Sequence, residues 1–121
     1  MQTGIKGEKE VLVTSQMCAD VVGSGDMPVF ATPQMVALME GAAAHSVQAA
    51  LPEGSTTVGT ALDIRHIAAT KPGARVRAES ELLQADGRKL SFHVQAWEGE
   101  KLIGEGAHTR VIVDRERFLA K

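Results

Sequence analysis

Three side chains stand where a polar or titratable group is unexpected. Glu40 interrupts an apolar run, with Met35-Val36-Ala37-Leu38-Met39 on one side and Gly41-Ala42-Ala43-Ala44 on the other. At about 100° per residue, Gln34, Gly41, His45 and Gln48 form one stripe, and Glu40 falls roughly 120° from its centre, near Val36 and Val47. A carboxylate off the wet face is costly unless paired, and such groups are candidate bases or nucleophiles. The plain alternative is a glutamate at an interface edge, satisfied by an Arg or Lys. His66 ends the segment Val58-Gly59-Thr60-Ala61-Leu62-Asp63-Ile64-Arg65-His66. Period-two alternation puts Val58, Leu62, Ile64, His66 and Ala68 on one face and Asp63 and Arg65 on the other. Taken alone, a core histidine donating to a backbone carbonyl is the commoner role. Thr32 reads as a helix N-cap followed by Pro33 at the first helical position. The free N–H groups and positive dipole of a helix start can also hold a developing oxyanion, although capping is the simpler role.

Other groups carry less. Cys18, the single cysteine, sits in Gln-Met-Cys-Ala-Asp with no base beside it, and builds neither a disulfide nor a four-ligand zinc site. His45 falls on the wet stripe, and His93 shares a face with Lys89, Ser91 and Gln95. His108 faces the same way as Gly104, Gly106 and Arg110, where the glycines can mark close backbone approach. Arg75 and Arg77 read as a solvated face alongside Glu79 and Glu81, with a seat for phosphates as the alternative. No metal-ligand spacing, phosphate loop, dinucleotide fingerprint or nucleophile elbow is present.

The elements that must hold these groups are legible. One helix is expected from Thr32 to near Leu51, where Pro52 and Gly54 stop it. It is nearly apolar all round, which implies that other structure wraps it. A first strand spans 4–14, residues 15–29 are an irregular loop, and four strands follow at 56–69, 73–85, 88–98 and 101–113. Asp86-Gly87 is a hairpin signal and Glu98-Gly99-Glu100 a turn. The tail, 114–121, is short and charged. The expected architecture is α+β: one long helix with an antiparallel sheet of about five strands curled around it, in a single domain over 1–121.

The 121 residues carry a net charge of −2, three Phe, one Trp and no Tyr, which argues against nucleic-acid binding by counterion release or base stacking. No apolar leader and no membrane-length apolar stretch is present, so a soluble cytoplasmic protein is expected.

Three stretches together resemble the fluoroacetyl-CoA thioesterase-like branch of the hotdog superfamily. They are Val29-Phe30-Ala31-Thr32 with Met35 to Glu40, Val58-Gly59-Thr60-Ala61 with His66-Ile67-Ala68-Ala69-Thr70-Lys71-Pro72-Gly73, and Gly104-Glu105-Gly106-Ala107-His108-Thr109-Arg110. The resemblance implies a hotdog homodimer, with pairing of dimers as a further option, whose sites lie near the dimer interface and which hydrolyses an acyl-CoA without cofactor or metal. The family's catalytic Thr, Glu and His fall on Thr32, Glu40 and His66. Gly59 and Arg110 fall at substrate-binding positions. Fluoroacetyl specificity does not carry over with the likeness, and the loop 19–28 has no aromatic residue to form a gate, so a short or medium acyl-CoA is expected.

On that reading Glu40 attacks the thioester carbonyl or activates water, His66 moves protons, and Thr32 positions the carboxylate or the carbonyl. A non-catalytic acyl-CoA sensor on the same fold is the competing reading, and a hotdog hydratase a weaker third.

Overall fold

The computed structural model describes residues 1–120. Its frame is one antiparallel sheet of five strands in the order β1-β3-β4-β5-β2, built from β1 (Lys6–Leu12), β2 (Ser55–His66), β3 (Arg75–Asp86), β4 (Lys89–Glu98) and β5 (Lys101–Asp114). The two expected turns close as the sequence suggests, since Gly87 (φ 59°) and Gly99 (φ 60°) adopt the left-handed backbone that glycine tolerates. Short helical turns at Ser15–Met17 and in α1 (Ala19–Val22) interrupt the segment expected to be irregular. The tail is ordered into α3 (Arg115–Leu119), because the Asp114 carboxylate accepts from the Arg117 amide and caps it.

The long helix, α2 (Thr32–Gln48), lies on the inner face of the sheet and touches all five strands. Its buried residues are Met35, Leu38, Met39, Ala42, Ala43 and Val47, at 3- and 4-residue spacing. With few aromatics, the core is filled by two methionines, Phe30, Phe92, Leu82, Leu90 and Ile103, and flexible Met side chains fit the irregular gaps. Full burial of each such side chain stabilises by about 1.5–3 kcal/mol.

Two expectations for this helix are corrected. It is covered on one side, not all round: Thr32, Pro33 and Ala37 are exposed and Val36, Glu40 and Ala44 half-buried. Nor is Thr32 the N-cap. Ala31 is the extended residue before the helix (φ −72°, ψ 139°), and its carbonyl accepts from the amides of Gln34 and Met35, both at 3.0 Å. Thr32 is therefore the first helical residue, Pro33 the second, and the threonine hydroxyl is released from capping.

Candidate active site

The released hydroxyl reaches across to β2. Thr32 Oγ1 lies 2.7 Å from Nδ1 of His66, the last residue of that strand. The other ring nitrogen, Nε2, is buried and has no hydrogen-bond partner. Loss of water around the ring lowers the His66 pKa below 6.5, and the backbone at Ala68 opposes this in part. The shift favours the neutral ring, which can accept a proton. A cleft of about 300 Å³ opens beside this pair, lined by Val29, Phe30, Ile67 and Ala68, with Ala19 and Ser24 contributed by the preceding loop.

A second group forms further along the helix. The Glu40 carboxylate is 3.6 Å from Nη1 of Arg110 and 3.9 Å from Nε2 of His108. Arg110 is almost fully buried and anchored on β2: Nε donates to the Thr57 hydroxyl at 2.7 Å and Nη2 to the Thr57 carbonyl at 2.9 Å. Burial lowers the Arg110 pKa and the Glu40 charge opposes the shift. At His108 desolvation also dominates and lowers the pKa; the Ala61 carbonyl raises it, Arg110 lowers it, and Glu40 raises it.

Gly59 marks the point where these groups converge. A Cβ there would lie 2.5 Å from Glu40 Oε2, 3.2 Å from His108 Cε1 and 3.3 Å from Arg110 Nη1. The lack of a side chain lets the Glu40 carboxylate close on the β2 backbone here, beside the Arg110 guanidinium. Gly104 and Gly106 serve packing. A Cβ at Gly104 would meet the Met35 thioether, and one at Gly106 would meet the Asp63 carbonyl, in line with the close approach expected of them.

A β-bulge explains why simple alternation misplaced part of β2. Gly59 pairs with Arg110 and Ala61 with Thr109, so Thr60 is the extra residue. Before the bulge the inward positions are Thr57 and Gly59; after it they are Ile64 and His66. Val58 therefore does not share a face with His66, as alternation predicted, and Thr57 is buried in its place. Thr57 is the member of the site that the sequence pattern does not single out, and His108 is correctly faced by it but given no role. The His-x-Arg spacing of His108 and Arg110 was the available signal, since it puts both on one strand face.

The two groups are distinct within one chain. Thr32 and Glu40 are eight residues apart on α2, about 12 Å along its axis, and Gly59 and His66 are separated by about 23 Å of strand. Among the described residues no hydrogen bond or ion pair joins one group to the other. The remaining sequence candidates lie elsewhere. Cys18 is buried, with Sγ 3.5 Å from the Thr14 carbonyl. Arg75 pairs with Glu10 at 3.3 Å and Arg77 with Glu79 at 3.1 Å, as a solvated face predicts. His45 is exposed, and His93 is 3.7 Å from Glu105 on the outer surface.

Solved structures place this architecture. A hot-dog-like protein from Thermanaerovibrio acidaminovorans superposes with TM-score 0.89 over 99% of this chain and 89% of its own, at 17% identity, which establishes the fold alone. A structure of the fluoroacetyl-CoA thioesterase superposes with TM-score 0.92 at 34% identity, covering 99% of this chain and 93% of that one. A variant of that enzyme, solved with fluoroacetate and CoA, gives 0.91 at 33% identity over 98% and 99%. The fold is thus a hotdog, of the kind used by thioesterases. The model of the fluoroacetyl-CoA-specific thioesterase family matches residues 13–116. The fluoroacetyl-CoA thioesterase of Streptantibioticus cattleyicolor is 43% identical over 93 residues, 77% of this chain and 67% of that protein. The chain belongs to the fluoroacetyl-CoA-specific thioesterase family.

Proposed function

We propose that this protein is an acyl-CoA thioesterase, a single hotdog domain that hydrolyses a short or medium acyl-CoA to a carboxylic acid and free CoA. The observation that carries the reading is the Glu40 carboxylate set against Arg110 at Gly59, in a chain of a thioesterase family. A thioester carbonyl brought against the exposed side of this pair has a carboxylate on one side and a guanidinium N–H beside it. In the covalent route a Glu40 oxygen attacks the carbonyl carbon, the C–S bond breaks, and the sulfur leaves as thiolate. Water then cleaves the resulting anhydride as neutral His66 takes its proton, and that proton passes from His66 to the thiolate, restoring the neutral ring and the Glu40 carboxylate. In the general-base route Glu40 takes a proton from water as the water attacks. The Arg110 charge favours the developing oxyanion in both.

Fluoroacetyl-CoA is the substrate named for the relatives. For this chain the aliphatic and small walls of the cleft, Ala19, Ser24 and Val29, support a less specialised acyl group.

The reading includes a homodimer. β2 is a sheet edge whose Leu62 is 47% exposed, and the open side of α2 carries Val36, Ala37 and Ala44 around Glu40. An unpaired edge is a template for a second copy, and pairing about a two-fold axis makes the contact isologous. With the axis midway between Gly59 and His66, at Leu62 and Asp63, Gly59 of each copy lies opposite His66 of the partner subunit. Each site then combines Glu40, Gly59 and Arg110 of one copy with Thr32 and His66 of the other.

The deciding experiment is free-thiol release from acyl-CoAs of two to sixteen carbons by the wild type and by Glu40→Gln. Turnover that is lost in the variant, with the fold unchanged, supports the thioesterase. Esters that raise the melting temperature without cleavage would identify a sensor instead.

A further inference from the structure

The thioesterase reading uses Glu40 and Arg110 but leaves His108 without a task. Its side chain is fully buried, and its two ring nitrogens have unequal partners. Nδ1 is 2.9 Å from the Ala61 carbonyl, which can only accept, so Nδ1 carries the hydrogen. Nε2 is 3.2 Å from Nη1 of Arg110, which can only donate, so Nε2 is the bare acceptor. The tautomer is thereby fixed from both sides. The ring is held by Phe92, stacked at 6.2 Å between centroids with 29° between planes.

This arrangement completes the fixing of Arg110. Nε and Nη2 are spent on Thr57, and one Nη1 hydrogen is spent on His108. Of the five N–H groups one on Nη2 and one on Nη1 remain, and Nη1 is the nitrogen near Glu40, whose Oε2 is 3.6 Å away, longer than a hydrogen bond. We propose that His108 is a positioning residue: as an obligate acceptor it sets the guanidinium so that the free Nη1–H faces the Glu40 carboxylate beside Gly59, where it can meet the thioester oxygen. The proposal rests on the thioesterase reading above. Positioning of this kind acts on the reacting complex, so its loss lowers kcat more than it raises KM. A histidine that merely fills the core affects stability whatever stands at position 110.

The test uses His108→Leu, His108→Gln, Arg110→Met and the double variant His108→Leu/Arg110→Met, with acetyl-CoA and butyryl-CoA as probes and a melting curve for each. Leu keeps most of the volume and removes the acceptor, while Gln retains an oxygen able to accept from Arg110. His108→Leu is expected to lower kcat by about tenfold or more with KM within about threefold, and Gln to recover a large part of that loss. In the Arg110→Met background the same His108→Leu change should cost less than about twofold, because the group it positions is gone. Nitrogen-15 spectra of the wild type at pH 7 should show His108 with protonated Nδ1 and bare Nε2. Equal losses in both backgrounds, Gln no better than Leu at equal stability, or a protonated Nε2 overturns the proposal. If His108→Leu fails to fold, the Gln variant and the spectrum decide. Absence of turnover in the wild type removes the thioesterase reading and this inference together. Turnover that depends on Glu40 but not on His108 removes the inference alone.

Discussion

Oγ1 of Thr32 lies 2.7 Å from Nδ1 of His66, tying the first residue of the long helix to the last residue of an edge strand. The bond exists because the helix is capped by Ala31, one residue earlier than its Thr-Pro sequence suggests, so the hydroxyl is spare. Loss of a true N-cap costs about 1 kcal/mol. Thr32→Val should therefore leave the urea midpoint nearly unchanged while lowering kcat by about tenfold or more. Thr32→Ser, which keeps the hydroxyl, should stay near wild type. A fall in stability with unaltered kcat would return Thr32 to a structural role.

Gly59→Ala tests the close approach of Glu40 to the β2 backbone. The glycine has no left-handed backbone requirement, so alanine is tolerated by the strand, but its Cβ would stand 2.5 Å from Glu40 Oε2. The carboxylate must swing away from that backbone. The expected outcome is a kcat loss of about tenfold or more with melting temperature little changed, measured by thiol release and thermal unfolding. Wild-type turnover in Gly59→Ala would mean that Glu40 does not act from this position.

Much of this site was legible in the residues. Glu40 stood out because a carboxylate broke an apolar helix, and His66 because it shared a face with Ile64. What pattern could not supply was the bulge at Thr60. One inserted residue flips the faces on its N-terminal side, so Thr57 enters the core where Val58 was expected. His108 was correctly faced but undervalued, since its significance lies in Arg110 and Glu40, the latter 68 positions away in the chain. The helix was expected to be wrapped all round, yet the chain covers only one side of it. An apolar pattern shows which residues favour burial, not what covers them.

The two histidines set the acid behaviour. Burial lowers the pKa of both His66 and His108 in the folded protein, whereas in the unfolded chain they titrate near 6.5. As pH falls below 6.5 the unfolded state takes up protons first, so stability is full above that value and is lost toward the lowered folded pKa. The groups facing His108 are Glu40, which favours its protonation, and Arg110, which opposes it. The melting temperature should therefore drop between pH 7 and pH 5, and His108→Gln should flatten that drop. The acid limb of kcat/KM, if it reports His66, should lie below 6.5. A melting temperature that rises on acidification would contradict the assigned directions.

The separation of the two groups gives the composite site its own test. Glu40→Gln and His66→Ala each disable every site of a homodimer. Mixed under conditions that exchange subunits, they form heterodimers. If each site takes Glu40 from one copy and His66 from the other, a heterodimer holds one site with both lesions and one with neither. Random exchange makes about half the dimers heterodimers, so about a quarter of wild-type activity should return. If each site lies within one chain, every site keeps one lesion and nothing returns. Exchange is confirmed separately by native mass spectrometry of the mixed dimers, so a failure to exchange is not mistaken for sites within single chains. Recovery toward a quarter places the reacting carbonyl between two copies of β2, with the Glu40–Arg110 pair on one side and the Thr32–His66 pair on the other.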